Sequence, residues 1–259
     1  MANKKVALVT GAGVGIGRAI AVRLAKDGYD LVINDLNEDT LLQTEAAVKA
    51  QGGDCLSVKA DVSDNGQVKA MFDQLIEKYG RIDVLINNAG ICPVCDILDM
   101  PPEGFARTMS INVDSVYICS YNAIPYMIKQ GGGRIINAAS AGAFTQSAKQ
   151  VAYCTSKWAV RGLTRQLAAA LAKYNITVNA YCPGATDTPM QAKICESASK
   201  EMGMTVEEYR AWKVSPSRVP MGRWIEEDEV AGVVSFVASA AAAGMTGLSI
   251  PITAGYIMI

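Results

Sequence analysis

Val6-Ala7-Leu8-Val9-Thr10-Gly11-Ala12-Gly13-Val14-Gly15-Ile16-Gly17 passes from a short apolar, β-branched run directly into four alternating glycines. The run is too short for a core helix and does not alternate with polar residues, so it reads as a strand buried on both faces of a parallel sheet. The glycines permit a tight turn and let backbone N–H groups approach an anion at the positive end of the helix that follows, GIGRAIAVRLAKDG. Alone, a glycine triplet is a weak signal that a plain turn would also explain. Between a strand and a helix of a βαβ unit it reads as a pyrophosphate cradle, with Gly11, Gly13, Val14, Gly15 and Ile16 as candidate contacts.

The same rhythm continues outward. DLVIND, LSVKAD and IDVLINNAG read as strands, separated by helical-period segments EDTLLQTEAAVKAQGG and QVKAMFDQLIEKYG. It resumes with the strand GGRIINAAS, a long helix through Tyr153 to about Lys173, and the strand ITVNAYCPG. A helix EEDEVAGVVSFVAS, whose acidic start suits a helix N-terminus, and a last strand around GLSIPI complete it. The expected fold class is α/β, a single-domain, doubly wound parallel sheet of Rossmann type spanning 1–259. Between Thr188 and Val219 the sequence turns polar and Met-rich, with helical pieces and no strand, and reads as a small helical lobe at about 188–220 over the active site.

Eighteen residues after Gly17, the second strand ends in Asp35, where a carboxylate can accept hydrogen bonds from both hydroxyls of an adenosine ribose and would repel a 2′-phosphate. Leu36 follows it and Val14 sits in the loop, so neither position offers a cation to that phosphate. NAD is favoured over NADP. The plainer reading of Asp35 is a solvated carboxylate at a strand end.

Composition narrows the chemistry. Of 259 residues none is histidine, which removes Ser-His-Asp triads and His-containing zinc sites and leaves Tyr, Lys, Cys and carboxylates as acid-base groups. The 24 basic and 25 acidic side chains form no basic cluster, so nucleic acid is not an expected partner. No apolar run reaches the roughly 18 residues of a membrane span, and the start MANKKVALVT lacks the pattern of a signal peptide, so a cytoplasmic address is expected. Seven cysteines, an odd set in mostly apolar segments, suit reduced thiols; Cys92-Pro93-Val94-Cys95 could be a redox or metal pair, but no second pair exists and it reads as pocket wall. No metal site is expected.

In Tyr153-Cys154-Thr155-Ser156-Lys157, a phenol and an ammonium four residues apart share one helix face. In isolation the pair is more often a helix surface. Together with Thr10, Gly11, Gly15 and Gly17, with Asn87-Asn88-Ala89-Gly90 and with Asp61-Val62, it makes the chain resemble the short-chain dehydrogenase/reductase family over essentially its whole length. The resemblance implies catalytic roles for Asn112, Ser140, Tyr153 and Lys157, with the family's spacing of thirteen between Ser140 and Tyr153. It adds Asp61, Val62, Asn88, Ala89, Gly90, Pro183, Gly184, Thr186 and Thr188 to the cofactor contacts, alongside Tyr153 and Lys157. In the implied mechanism Ser140 polarises the substrate oxygen, Tyr153 moves the proton, Lys157 also binds the nicotinamide ribose and Asn112 supports a water-borne proton path. Thr188 holds the carboxamide, which the family precedent couples to pro-S hydride transfer. A tyrosine working near neutral pH asks for a drop of about 3 pH units from its usual value, or about 4 kcal/mol.

Within the family the text is most similar to acetoin/diacetyl reductases and meso-2,3-butanediol dehydrogenases, so diacetyl, acetoin or 2,3-butanediol is the expected small-molecule substrate. Polyol or sugar alcohols, and hydroxysteroids, stay open, because Ala141 stands where butanediol-type enzymes tend to carry glutamine and Gln191 where they tend to carry tryptophan. Ser140, Ala141, Phe144, Gln146, Cys92, Val94, Gly184, Ala185, Met190 and Gln191 are the pocket candidates. The VDGG common near the family's C-terminus stands here as Ile252-Thr253-Ala254-Gly255. The resemblance also implies a homotetramer. A non-catalytic dinucleotide sensor is the alternative from another class; loss of Tyr153 or Lys157 would have favoured it, and both are intact.

Overall fold

The computed structural model describes residues 4–259. Seven strands, β1 (Val6–Thr10), β2 (Asp30–Asp35), β3 (Cys55–Lys59), β4 (Val84–Asn87), β5 (Gly133–Ala138), β6 (Ile176–Pro183) and β7 (Ser249–Ile252), form one sheet in the order β3-β2-β1-β4-β5-β6-β7, and every pairing is parallel. This is the expected Rossmann-type sheet. Strand period two divides β1 between two cores: Ala7 and Val9 enter one, Val6 and Leu8 the other, and all four are at most 2% exposed.

The first core is closed by α1 (Gly15–Lys26), α2 (Glu38–Ala50) and α9 (Glu227–Ala238) through Ile20, Leu24, Leu41 and Val234. The second is closed by α3 (Asn65–Tyr79), α5 (Ser115–Lys129) and α6 (Val151–Leu171) through Val68, Met71, Ala123, Met127 and Leu171. Parallel strands need such crossovers, and placing them on both faces is what leaves the strands apolar throughout.

One stretch unassigned from sequence is helical. Helices α4 (Pro102–Met109) and α5 are joined without a break by a π-turn over Ser110–Asp114, which contains Asn112. The widened turn shifts this buried asparagine out of ordinary helical register, a device common at functional sites. The region between β6 and β7 holds α7 (Pro189–Glu201) and α8 (Val206–Lys213), ahead of α9. Glu226 and Glu229 form a capping box at the start of α9, as its acidic opening suggests. No helix among the described residues is long and apolar enough to cross a membrane.

The chain runs from β1 outward to β3 and then returns to the other side of β1 with β4, so the switch in direction lies between β1 and β4. Ligands of doubly wound sheets bind at the carboxyl ends of the strands beside that crevice. The glycine loop, Asn88, Ser140 and Pro183 follow or end β1, β4, β5 and β6 there.

Candidate active site

The glycine loop is built by close approach. A Cβ on Gly17 would collide with the Gly11 carbonyl, and one on Gly13 would lie 2.5 Å from Thr40 Oγ1 and 2.7 Å from Asp35 Oδ2. Helix α1 begins with neither a side-chain cap nor an acidic residue in its first turn, so no side chain of the helix start competes for its first N–H groups, an arrangement compatible with an anion there. Asp35 is held as an acceptor: Oδ2 receives the Gly13 N–H at 2.9 Å and Oδ1 the Asn37 N–H at 3.1 Å. Leu36 beside it is 62% exposed, which offers no charge to a phosphate.

The structure does bring a cation to this corner that the reading of positions 14 and 36 did not foresee. Arg18 donates to the Gly13 carbonyl at 2.6 Å, the Thr40 carbonyl at 3.3 Å, Gln43 Oε1 at 3.1 Å and Thr44 Oγ1 at 3.0 Å. Its guanidinium thus braces the loop. Glu227, at the start of α9, lies beside Gly15, and burial followed by the Asp187 charge pushes its carboxyl above the usual range.

Asn88 ties strand ends together. Its Nδ2 donates to the carbonyls of Thr10 (3.0 Å) and Gly11 (2.9 Å), and its Oδ1 accepts from the Tyr181 hydroxyl at 2.7 Å. Thr10 Oγ1 in turn accepts from the N–H groups of Asn88 and Ala89. Gly90 abuts the Asn112 amide and the Lys157 ammonium. Asp61 accepts from the N–H and hydroxyl of Ser63 at 2.9 and 2.6 Å, and Val62 is buried. Buried Asn34, not singled out from sequence, donates to the Val58 and Ala60 carbonyls and fixes the end of β3.

Around the Tyr-Lys pair the hydrogen bonds form a frame. Asn112 accepts the Ile91 N–H at 2.8 Å and donates to the Ile91 carbonyl and to Ser156 Oγ, both at 2.9 Å. Ser156 donates to the Tyr153 carbonyl at 2.6 Å. The π-turn, the loop after β4 and α6 are thereby clamped to one another. Lys157, 4% exposed, donates to the Ala138 carbonyl at 2.8 Å, and its Nζ stands 5.5 Å from the centroid of the Tyr153 ring. Ser140 Oγ accepts the Gly142 N–H at 3.1 Å, so its own proton remains available to donate.

Lys157 by itself does not supply the drop expected for Tyr153. In the chain alone, burial pushes the Tyr153 phenol up, opposed by the influence of the neighbouring Ser140 hydroxyl. Burial also pushes the Lys157 ammonium down to about 8. Both shifts have the same origin: each group has left water, and the pair is not close enough to repair the loss.

Ser140 and Tyr153 open on a cavity of about 380 Å³. Of the expected cofactor residues, Ile16, Pro183, Gly184, Thr186 and Thr188 also line it, and Thr188 Oγ1 caps α7 by accepting the Gln191 N–H at 3.1 Å. Ala141, Gln146, Cys92, Ala185, Met190 and Gln191 lie on its wall, as expected of pocket residues. Two candidates do not. Phe144 packs against the Arg161 guanidinium, 3.9 Å from its ring centroid, and Val94 is drawn into the loop beside Cys95, whose N–H bonds to the Lys149 carbonyl. Cys92 Sγ accepts from Gln150 Nε2 at 3.1 Å, and burial pushes its thiol up to about 11, which leaves it unreactive at neutral pH. Helix α8 and the turn after it add Tyr209, Trp212, Lys213 and Arg218, none of which the sequence reading selected.

A family model described as short chain dehydrogenase matches residues 5–199. The chain belongs to the short-chain dehydrogenase family. It is 37% identical over 247 residues to an (S)-acetoin-forming diacetyl reductase of Staphylococcus epidermidis, covering 95% of this chain and 96% of the relative. It is 39% identical over 246 residues to an L-2,3-butanediol dehydrogenase of Corynebacterium glutamicum, covering 94% and 95%. The crystal structure of an NAD+-bound xylitol dehydrogenase aligns with a TM-score of 0.92 at 35% identity, over 98% of this chain and 100% of the other. As a short-chain dehydrogenase the protein is an oxidoreductase of alcohol and ketone groups that uses a nicotinamide dinucleotide. The glycine cradle, the uncapped α1 and the anchored Asp35 fit such a cofactor.

Proposed function

We propose that this short-chain dehydrogenase interconverts a secondary alcohol and a ketone with NAD(H), on small vicinal hydroxy or oxo compounds of the diacetyl, acetoin and 2,3-butanediol type. The observation that carries the reading is the meeting of Ser140 and Tyr153 on a cavity that Ile16 of the glycine loop also lines, with the buried Lys157 ammonium 5.5 Å from the Tyr153 ring. The preference for NAD rests on Asp35, whose oxygens are aimed by two backbone N–H groups, on the uncharged Leu36, and on the engagement of Arg18 by its own loop.

Gly11, Gly13, Val14, Gly15 and Ile16 would hold the pyrophosphate, Asp35 the adenosine ribose, Asp61 and Val62 the adenine side, and Thr186 and Thr188 the carboxamide. The bound cofactor supplies a carbon that accepts or returns hydride. Everything else is done by side chains. Ser140 donates its free proton to the substrate oxygen and orients the carbonyl. Tyr153 gives a proton to that oxygen in reduction and takes it in oxidation. Lys157 places positive charge behind the phenol, and its two remaining protons are free for a ribose hydroxyl and a water held near Asn112. Because burial alone pushes the phenol up, Lys157 in its charged form and the cationic oxidised cofactor together bring it back toward neutrality.

The reading treats residues 1–259 as one catalytic unit, with 188–220 as its substrate cover. It includes a homotetramer, supported by Tyr117 and Tyr121, stacked and more than half exposed on α5, and by Trp158, 52% exposed on α6. Sedimentation showing only monomer at micromolar concentration would refute that part. The substrate assignment is tested by initial rates of NADH and NADPH oxidation with diacetyl, acetoin, fructose, sorbose and a 3-ketosteroid. Diacetyl or acetoin should lead in kcat/KM with NADH. A lead for a sugar or a steroid replaces the substrate class and makes Ala141 and Gln191 the residues that admitted it.

A further inference from the structure

The wall of the cavity opposite the strand ends is charged on one side only. Lys213, the last residue of α8, and Arg218, five residues on, both line it, and no aspartate or glutamate does. Neither cation has an ion-pair partner among the described residues. The other cation of α8 behaves otherwise: Arg210 is paired with Asp187 at 2.9 Å and stacked 4.4 Å over the Trp224 ring. Lys149 likewise bridges Asp96 and Glu201. Lys193 and Lys200 on α7 are exposed to solvent, so among the cations of the lobe Lys213 and Arg218 are the two that line the substrate space.

Both free cations are positioned by aromatic faces. The Arg218 guanidinium lies 3.8 Å over the Trp212 ring, the Lys213 ammonium 5.8 Å over the Tyr209 ring, and the two rings pack at 5.5 Å. Stacking fixes direction without consuming hydrogen-bond donors, so the donors stay available to a ligand. Burial pushes the Lys213 ammonium down, with Arg218 adding repulsion, and only thiols, Cys195 and Cys92, oppose this. A half-buried ammonium with a like charge beside it and no anion is an arrangement completed by something from outside.

We propose that the substrate of this short-chain dehydrogenase carries an oxyanion, a carboxylate, sulfonate or phosphate, which Lys213 and Arg218 bind while the reacting carbonyl faces Ser140 and Tyr153. The proposal rests on the alcohol-ketone reading above and refines it: diacetyl and acetoin are then fragments that lack the charged handle. An anion held by two cations binds more tightly than its neutral analogue in ground and transition states alike, so the preference falls mainly on KM.

The test compares matched ketones with the NADH-loaded enzyme: acetoacetate and levulinate against their methyl esters, dihydroxyacetone phosphate against dihydroxyacetone, and 2-oxopropanesulfonate against butanone. We expect at least one anion to exceed its neutral partner by ~10- to 100-fold in kcat/KM, the scale of one or two charge-assisted hydrogen bonds. Lys213→Gln with Arg218→Gln should bring that pair to within about threefold while NADH affinity is unchanged, and Lys213→Arg should retain the preference. The pair that responds identifies the oxyanion. Neutral partners reduced as well as their anions in every pair, or a preference that survives the double substitution, would overturn the proposal while leaving the oxidoreductase reading in place. If nothing is reduced, the oxidoreductase reading fails. Calorimetric titration of the same anions into the NADH-loaded protein then decides the subsite: binding lost in the double variant upholds it, and no binding refutes it.

Discussion

Asp35 at the end of β2 and Lys213 at the end of α8 each carry a charge at the edge of the site, and only the first is satisfied by its own chain. Asp35 receives two backbone N–H groups, and its neighbours in the glycine crevice are similarly engaged: Asn88 bonds Thr10, Gly11 and Tyr181, and Asn112 bonds Ile91 and Ser156. Lys213 and Arg218 rest on aromatic rings and bond to nothing charged. The sheet half holds a shape fixed by internal hydrogen bonds for a partner that does not vary, whereas the helical wall keeps its donors for the molecule it selects.

Substitutions can break this division in order of effect. Tyr153→Phe removes the proton carrier without touching the sheet half, so kcat should fall by at least ~10³-fold, with dinucleotide affinity unchanged in a fluorescence titration; substantial residual turnover would mean another proton donor. Asp35→Ala with Leu36→Arg should move the NAD/NADP ratio of kcat/KM by about 100-fold toward NADP, because a repulsion is removed and the new guanidinium can pair with the 2′-phosphate. An unchanged ratio would contradict the role of Asp35.

Lys157→Met sharpens the contrast from the other side. A buried ammonium whose titration is pushed down to about 8 destabilises the folded protein by about 3 kcal/mol at neutral pH. The variant should be inactive and more stable. Because the penalty belongs to the charged form, it is full below about pH 8 and fades as pH rises toward the lysine's ordinary value, so the stability gap measured by denaturant unfolding should close on the alkaline side. The smallest effect concerns Ala254, which holds φ at 50° where the family has glycine. Ala254→Gly should stabilise the protein by up to about 1 kcal/mol by relieving a left-handed conformation, read as a rise in Tm with unchanged kinetics.

Legibility follows the same boundary. The run from Val6 to Gly17 could be read because a buried parallel strand, a glycine turn and a helix start each leave a local mark. Asp35, Ser140 and the Tyr153-Lys157 pair sit at strand ends or on one helix face, so the sheet topology alone brings them to one side. Asn34 and Ser156 were not legible, since their importance lies in partners from other segments: the Val58 and Ala60 carbonyls for Asn34 and the Asn112 amide for Ser156. Lys213 and Arg218 were hidden for a further reason: periodicity identifies the helix in VEEYRAWKV but not which face the lobe turns toward the cavity. Phe144 and Val94 neighbour Ser140 and Cys92 in sequence, but Phe144 packs on Arg161 and neither lines the cavity. The downward shift expected for Tyr153 counted on a nearby lysine together with the positive nicotinamide ring, and in the chain alone burial outweighs an ammonium 5.5 Å from the ring.

Most direct is the fate of NADH when the wild-type protein meets a pooled set of neutral and anionic ketones. An alcohol-ketone oxidoreductase working through Tyr153 consumes the NADH signal, and Tyr153→Phe binds NADH without consuming it. A wild-type signal that endures, with clear NADH binding, would contradict the assignment and leave a dinucleotide sensor built on an intact catalytic frame.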